Sequence, residues 1–391
     1  MRQRFTAWRV ILCAVIGAVA VAVAQNKVVP CIPVLGAEVE ISRSEMGWLS
    51  SVFNVTGILI AFPAVWIVDW IGAKAACLMS VGFGAVGTMI GLFSSGYTVM
   101  LAGRIVEGIG AGLISIAVPN LIHMWFPKEK RGLPTGIWTS WQYIGQAVCF
   151  FFGTVVAYRY GWKFVWLLGL LFLCAGGILS FMFVKERPID QKKSSEKGRE
   201  VSPTEIFSSL KNRNAWLITL AIFAFCFVSF GFVTWIPSCW TENIGIGSVQ
   251  ANQYVSVFAL ISILMVLAAG WILDRVCQKS FCTLMFLGYA FIVAGAFFLS
   301  SEREVQIFVI LYAFLESAVI TALWTIMPGT ARNRQETDSV IALLTAGSNV
   351  GMLTGPPAIG FCVSQIGWIT TAFVLGLISV LGGVCVLAVK Q

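Results

Sequence analysis

The chain has 391 residues, 58% of them hydrophobic and only 11% charged, with a formal net charge of +8. Soluble domains carry about a quarter charged residues, so a water-soluble globular protein is excluded, and at about 20 apolar residues per crossing the length accommodates roughly twelve membrane spans with short connections. The eleven cysteines are scattered without CxxC or Cys/His spacing, which supports neither a disulfide framework nor a metal site.

Apolar stretches bounded by charge, Gly and Pro predict helices over 9–34, 46–68, 74–94, 97–122, 134–157, 162–184, 214–236, 250–273, 281–300, 305–327, 339–363 and 367–389. Arg2, Arg4 and Arg9 ahead of an apolar run ending in Ala22, Val23 and Ala24 imitate a cleavable signal. The run continues to Leu35, longer than a signal core, and reads as the first membrane helix. Lys27 lies inside it, beside Gln25 and Asn26, where Pro30 and Pro33 loosen the outer part of the helix. Two placements are open for this ammonium: facing a central cavity, where it attracts an anionic substrate, or snorkelling to the outer interface.

The fourth span carries Arg104 and Glu107, three apart on one helical face inside an apolar run, and Gly108 and Gly112, which allow close helix packing. An unpaired charge at that depth is costly, so the two are expected as a pair. The pair is either a structural bridge or a proton relay. His123 sits at the inner end of the same span and reads as interfacial. In the fifth span Trp138, Trp141, Gln142 and Gly145 share a face, which offers indole and amide donors to a polar ligand or packs against neighbours; Gln146 lies nearby.

The polar stretch 185–213 splits the chain into residues 1–184 and 214–391 and reads as a cytoplasmic linker. Within it Ser202, Pro203 and Glu205 fit a helix start, so 203–210 forms either a short surface helix or a solvated tether. Glu316 lies near the middle of the tenth span, with no Lys or Arg in that span. Ionisation there costs free energy, which suits a coupling acid that binds and releases a proton; the alternative is a permanently neutral Glu bonded to a neighbouring helix. In the eleventh span Asn349 is a further cavity candidate, and Pro356 with Pro357 marks an expected bend.

Sidedness follows from Lys and Arg, which cytoplasmic loops retain. With the N-terminus inside, 20 of the 26 basic residues fall on cytoplasmic segments, and Arg43, Arg159, Lys163 and Arg303 on outer ones. Both termini are therefore expected in the cytoplasm. The basic balance is a topology signal, and no aromatic-basic motif points to nucleic acid.

The two halves echo one another. Asp69 follows the second span in VWIVDWIGAK and Asp274 follows the eighth in GWILDRVCQK. These stretches resemble the signature loop of the major facilitator superfamily, a Gly, then Asp four residues on, then Arg, Gly, Arg and Lys. In the first copy Asp69, Gly72 and Lys74 match, while Val65, Trp70 and Ala73 depart from it; in the second Gly270, Asp274 and Arg275 match and Cys277 departs. RIVEGIGAG from Arg104 is similar to that family's Arg-x-x-x-Gly-x-Gly motif.

The resemblance spans essentially the whole chain. It implies an all-α integral membrane fold of twelve transmembrane helices in two six-helix bundles, with the substrate site between them. It implies also that Asp69, Lys74, Asp274 and Arg275 latch the inner face as gating residues; the alternative is solvated turn residues near helix N-termini.

The leading expectation is a monomeric secondary transporter in the inner (plasma) membrane, a proton-coupled symporter of a small organic anion working by alternating access. Lys27, Trp138, Trp141, Gln142 and Asn349 are its substrate-binding candidates, and Arg104, Glu107 and Glu316 its proton-coupling ones. No cofactor or metal is expected. Two alternatives stand beside it. A proton-driven multidrug exporter is disfavoured by GQAVCFFFG, which lacks the Gly-Pro step common in such exporters; a non-transporting membrane sensor is disfavoured by the lack of a soluble output domain. An enzyme is not expected, because no nucleophile or paired-carboxylate constellation stands out.

Overall fold

A computed structural model describes residues 2–39, 41–60, 67–68, 70–127, 130–185, 212–273, 275–330 and 334–389, and these form helices joined by short turns. The first span is α1 (Arg2–Asn26), a 3₁₀ turn at Val29–Cys31 and α2 (Ile32–Val39). The break falls where Pro30 and Pro33 lack the N–H that a continuous helix needs. The second span begins with α3 (Arg43–Ser51) and α4 (Phe53–Ile60). Ser42 starts it with a reciprocal cap, its Oγ accepting from the Glu45 amide while the Glu45 carboxylate accepts from Ser42. Then come α5 (Ala73–Leu92) and α6 (Tyr97–Trp125).

The fifth span is fragmented. It runs through α7 (Gly132–Thr139), α8 (Trp141–Val148), a π-helical turn at Cys149–Gly153 and α9 (Thr154–Tyr160). The sixth is α10 (Trp162–Phe183). After residues outside the description come α11 (Arg213–Ile244), α12 (Ser248–Leu273), α13 (Gln278–Gly295), α14 (Glu302–Ile326) and α15 (Arg334–Ala388). The last is two expected spans in one run, parted only at Gly367, whose φ of 74° is open to glycine at little cost.

Among the described residues nine helices are long and apolar enough to cross a membrane, the first at Phe5–Val39 and the last at Leu343–Ala388. The broken second and fifth spans and the division at Gly367 bring the architecture to twelve spans in two bundles. The backbone stays helical through Pro356 and Pro357, where a bend is expected. Ser51 Oγ of α3 donates at 2.8 Å to the carbonyl of Leu353, which Pro357 cannot serve, and so replaces one of the lost bonds. Trp235 Nε1 donates to Pro356 O, also at 2.8 Å.

Small residues set the helix spacing, as expected where lipid is as apolar as the side chains. A Cβ on Gly103 would meet Gly87 O at 2.6 Å, and one on Gly108 would meet Phe53 O at 2.2 Å, so α6 lies backbone against backbone on α5 and α4. One core gathers residues from Ala7 to Val184, including Val10, Cys77, Ile114 and Leu173. Another gathers residues of α11 to α15 and also takes in Val29, Met46, Ala147 and Phe150 from the other bundle.

Candidate functional site

Three ionisable side chains meet inside the N-terminal bundle. Glu107 of α6 accepts from Lys27 through Oε1 and from Arg104 through Oε2, and all three are at most 2% exposed. Thr88 of α5 joins them, its hydroxyl accepting from Lys27 Nζ at 2.9 Å and donating to Glu107 Oε1 at 2.8 Å. The Lys27 ammonium lies 5.1 Å from the ring centre of Trp166.

Chain breaks explain how Arg104 is held. Its Nη1 donates to Ala24 O at 2.8 Å, its Nη2 to Gln25 O at 2.6 Å and its Nε to Leu49 O at 3.0 Å. These carbonyls belong to the last turns of α1 and α3, where no following helical amide serves them, and a guanidinium there also opposes the negative end of the helix dipole. Arg104 thereby ties three spans together. The sequence supplied the Arg104–Glu107 pair but not its third member: Lys27 lies neither at the outer interface nor open to a cavity, because Glu107, Thr88 and Trp166 enclose it.

The expected ligand face of the fifth span lies against the first. Trp138 and Trp141 are buried and stacked with ring centres 5.1 Å apart, Gln142 Nε2 donates to Gln25 Oε1 at 3.1 Å, and a Cβ on Gly145 would meet that of Ala22 at 2.3 Å. Asn349 donates to Thr345 O at 2.9 Å, and its Oδ1 would lie 3.0 Å from a Cβ on Gly57, so it faces the opposite bundle. Lys74 lies over the Phe181 ring at 5.6 Å. Arg275 folds back on its own helix, donating to Trp271 O at 2.7 Å. Asp69 and Asp274, like the expected helix at 203–210, lie outside the described residues.

Glu316 stands apart from the triad. It is 7% exposed, its Oε1 lies 3.5 Å from Ser229 Oγ of α11, and its Oε2 has no hydrogen-bond partner among the described residues. The Tyr289 and Tyr312 hydroxyls lie 3.4 Å apart beside it. Tyr143, which no sequence feature marked, packs from α8 against the core of the C-terminal bundle.

At the end that charge distribution assigns to the outside, the bundles touch. Arg43 Nη2 and Glu242 Oε1 are 2.8 Å apart, Trp368 Nε1 donates to Glu242 Oε2 at 2.9 Å, and a Cβ on Gly47 would fall 2.5 Å from Pro356 O. A cavity of about 350 Å³ lies between the bundles, lined in part by Val29, Pro33, Arg43, Thr234, Trp235 and Glu242. Only the scarcity of basic residues in the outer loops singled out Arg43; nothing marked Glu242 or Trp368.

Twelve spans in two bundles, each with buried ionisable side chains, define a multi-pass membrane transporter. The chain belongs to the Major Facilitator Superfamily, whose model matches residues 14–337. It is 25% identical over 383 residues to the hexuronate transporter of Bacillus subtilis (strain 168), covering 91% of this chain and 86% of that one. It is 22% identical over 388 residues to the D-galactonate transporter of Escherichia coli O6:H1, covering 88% and 86%. A crystal structure of a D-xylose-proton symporter superposes with a TM-score of 0.77 at 15% identity, covering 98% of each chain, and so shares the fold.

Proposed function

We propose that the protein is a proton-coupled symporter of a small organic anion, working as a monomer in the inner (plasma) membrane by alternating access between residues 1–184 and 214–391. Both termini and the 185–213 linker face the cytoplasm in this reading, and Asp69, Lys74, Asp274 and Arg275 serve as inner gating residues. The observation that carries it is the contrast between the buried acids. Glu107 is held by two cations, whereas Glu316 has no cationic partner among the described residues.

A buried carboxyl without a cation is stable when neutral, so Glu316 is the group that takes the proton. The triad carries one net positive charge, which favours an anion nearby. Relatives named for hexuronate and D-galactonate, both carboxylates, support that substrate class. In this reading Asn349, which faces the opposite bundle, borders the path, Trp138, Trp141 and Gln142 act on it through the first span they pack against, and Arg104, Glu107 and Lys27 set its potential.

Glu316→Gln tests the reading, because the amide keeps shape and hydrogen bonding while fixing the neutral form. Substrate binding and exchange of labelled for unlabelled solute persist in the variant, and uptake driven by a pH gradient falls. Gradient-driven uptake at the wild-type rate would remove Glu316 as the coupling site.

A sensor reading has one observation behind it, a 25% identical relative over 60% of the chain named as the membrane sensor protein UhpC of Salmonella typhimurium. Proteoliposomes separate the two: a sensor gives no flux of organic anions, whatever the pH gradient.

A further inference from the structure

The cavity at the outer end has walls from both bundles, and Arg43 and Glu242 are the charged ones among the described residues that line it. Its volume of about 350 Å³ falls at the lower end of small-molecule sites, roughly 300–1,000 Å³. Arg43 of α3 has its side-chain partners, among the described residues, in the opposite bundle. They are the Glu242 carboxylate at 2.8 Å and the Trp368 ring, whose centre lies 5.2 Å from the guanidinium carbon. Glu242 of α11 is also held within its own bundle, by Trp368 Nε1. Parting of the bundles at this end therefore strips Arg43 of both partners and leaves Glu242 with one.

Other polar walls of the cavity offer acceptors. Thr234 and Thr241 spend their hydroxyl hydrogens on Phe230 O at 2.7 Å and Pro237 O at 2.9 Å, which leaves oxygen lone pairs to accept. Asn252 is 2% exposed; its Nδ2 donates to Ser248 O at 2.8 Å, and its Oδ1 has no hydrogen-bond partner among the described residues. One cation beside several acceptors matches a carboxylate that also carries hydroxyl groups. Resting on the organic-anion reading, we infer that this cavity is an outer binding site for a hydroxylated carboxylate, whose carboxylate takes Arg43 from Glu242 as the solute enters. At 33% and 43% exposed, that pair is weakly held, as ion pairs in contact with water are, and exchanges one carboxylate for another. The enclosed cluster of Lys27, Arg104 and Glu107 does not exchange so readily, because a cation that leaves Glu107 leaves a buried charge less compensated. Selection for an anion thus begins at Arg43.

Two variants that break the same ion pair separate capture from a simple latch. In right-side-out vesicles Arg43→Gln raises the KM for D-gluconate roughly tenfold or more, the loss expected for one hydrogen bond to a charged group. Glu242→Gln removes the carboxylate that competes for Arg43 and lowers the KM. Arg43→Lys keeps the charge and recovers part of the loss. Shifts in the same direction for Arg43→Gln and Glu242→Gln, or an unchanged KM for Arg43→Gln, would overturn the inference. In thermal-shift titrations of the wild-type protein, D-gluconate stabilises more than hexanoate, which lacks hydroxyls, and more than D-glucitol, which lacks the carboxylate. Either compound matching D-gluconate would overturn the ligand class. Asn252→Leu narrows the lead of D-gluconate over hexanoate, and an undiminished lead counts against the site. Failure of the organic-anion reading itself shows differently, as wild-type protein that neither binds nor moves any carboxylate.

Discussion

At the scale of single residues, Glu107 is the shared acceptor on which two buried cations depend. Removing one partner of a buried ion pair costs about 3–5 kcal/mol, because the remaining charge stays buried without compensation. Glu107→Gln is therefore expected to lower the thermal unfolding temperature markedly. Lys27→Met, which leaves Glu107 with Arg104 and makes the cluster neutral, is expected to lower it less and to weaken anion binding more, as a thermal-shift titration with organic acids will show. Equal unfolding temperatures for the two variants would disprove the shared-acceptor account. The sequence revealed Arg104 and Glu107 because three residues along a helix is a fixed geometry. It hid the link from Lys27 to Glu107, because 80 positions separate them and only packing of the first and fourth spans closes that gap. Tyr143 was illegible for a similar reason: beside Gln142 in sequence, it points to a different bundle.

At the scale of elements, the span breaks were partly legible. Pro30 and Pro33 announced the split in the first span, and the separate spans expected at 339–363 and 367–389 announced the division that falls at Gly367. Pro356 and Pro357 marked the missing backbone bonds but not their replacement, since Ser51 serves the Leu353 carbonyl from another span. The contact of α3 with α15 leaves no room at Gly47. Gly47→Leu is expected to hold the bundles apart at this end, seen as a lower yield of disulfide between cysteines placed at 43 and 242; an unchanged yield would mean that the contact does not limit closure. The cap at Ser42 adds a pH effect. Hydrogen bonds from the Ser42 side chain and backbone hold the Glu45 carboxyl below its ordinary value. A depressed carboxyl stabilises the fold above its unfolded value, about 4.3, and the contribution disappears as pH falls through the folded value. The protection of amides at the start of α3, exchange being corrected for its intrinsic pH dependence, should therefore fall only in acid, and constant protection from pH 6 to pH 3 would contradict the cap.

At the scale of the whole molecule, membrane class, span number and two-bundle plan were all legible, since each rests on local hydrophobicity and on repetition between the halves. Sidedness offers a native probe. Cys277 is exposed in the turn between α12 and α13, and hydrogen bonds from Ser280 to its sulfur hold the thiol below its ordinary value. The charge distribution predicts that turn on the cytoplasmic side, and a lowered thiol value speeds alkylation near neutral pH. A membrane-impermeant maleimide is expected to modify Cys277 in inside-out vesicles and to spare it in intact cells; modification in intact cells would reverse the topology.

The bond from Ser51 to the Leu353 carbonyl joins the two bundles. In the alternating-access reading, that carbonyl loses its donor when the bundles part at this end, and Pro357 ensures that the amide four residues on cannot take over. An exposed backbone oxygen in a membrane protein must be met by water. Opening is therefore a hydration step: the cleft cannot part dry, and the number of waters it takes up becomes part of the equilibrium. Solutes too large to enter the cleft draw water out of it, so raising their concentration shifts the carrier toward the state closed at this end without touching any binding site. For a carrier that works by alternating access, osmotic pressure is therefore expected to inhibit without any structure of its own.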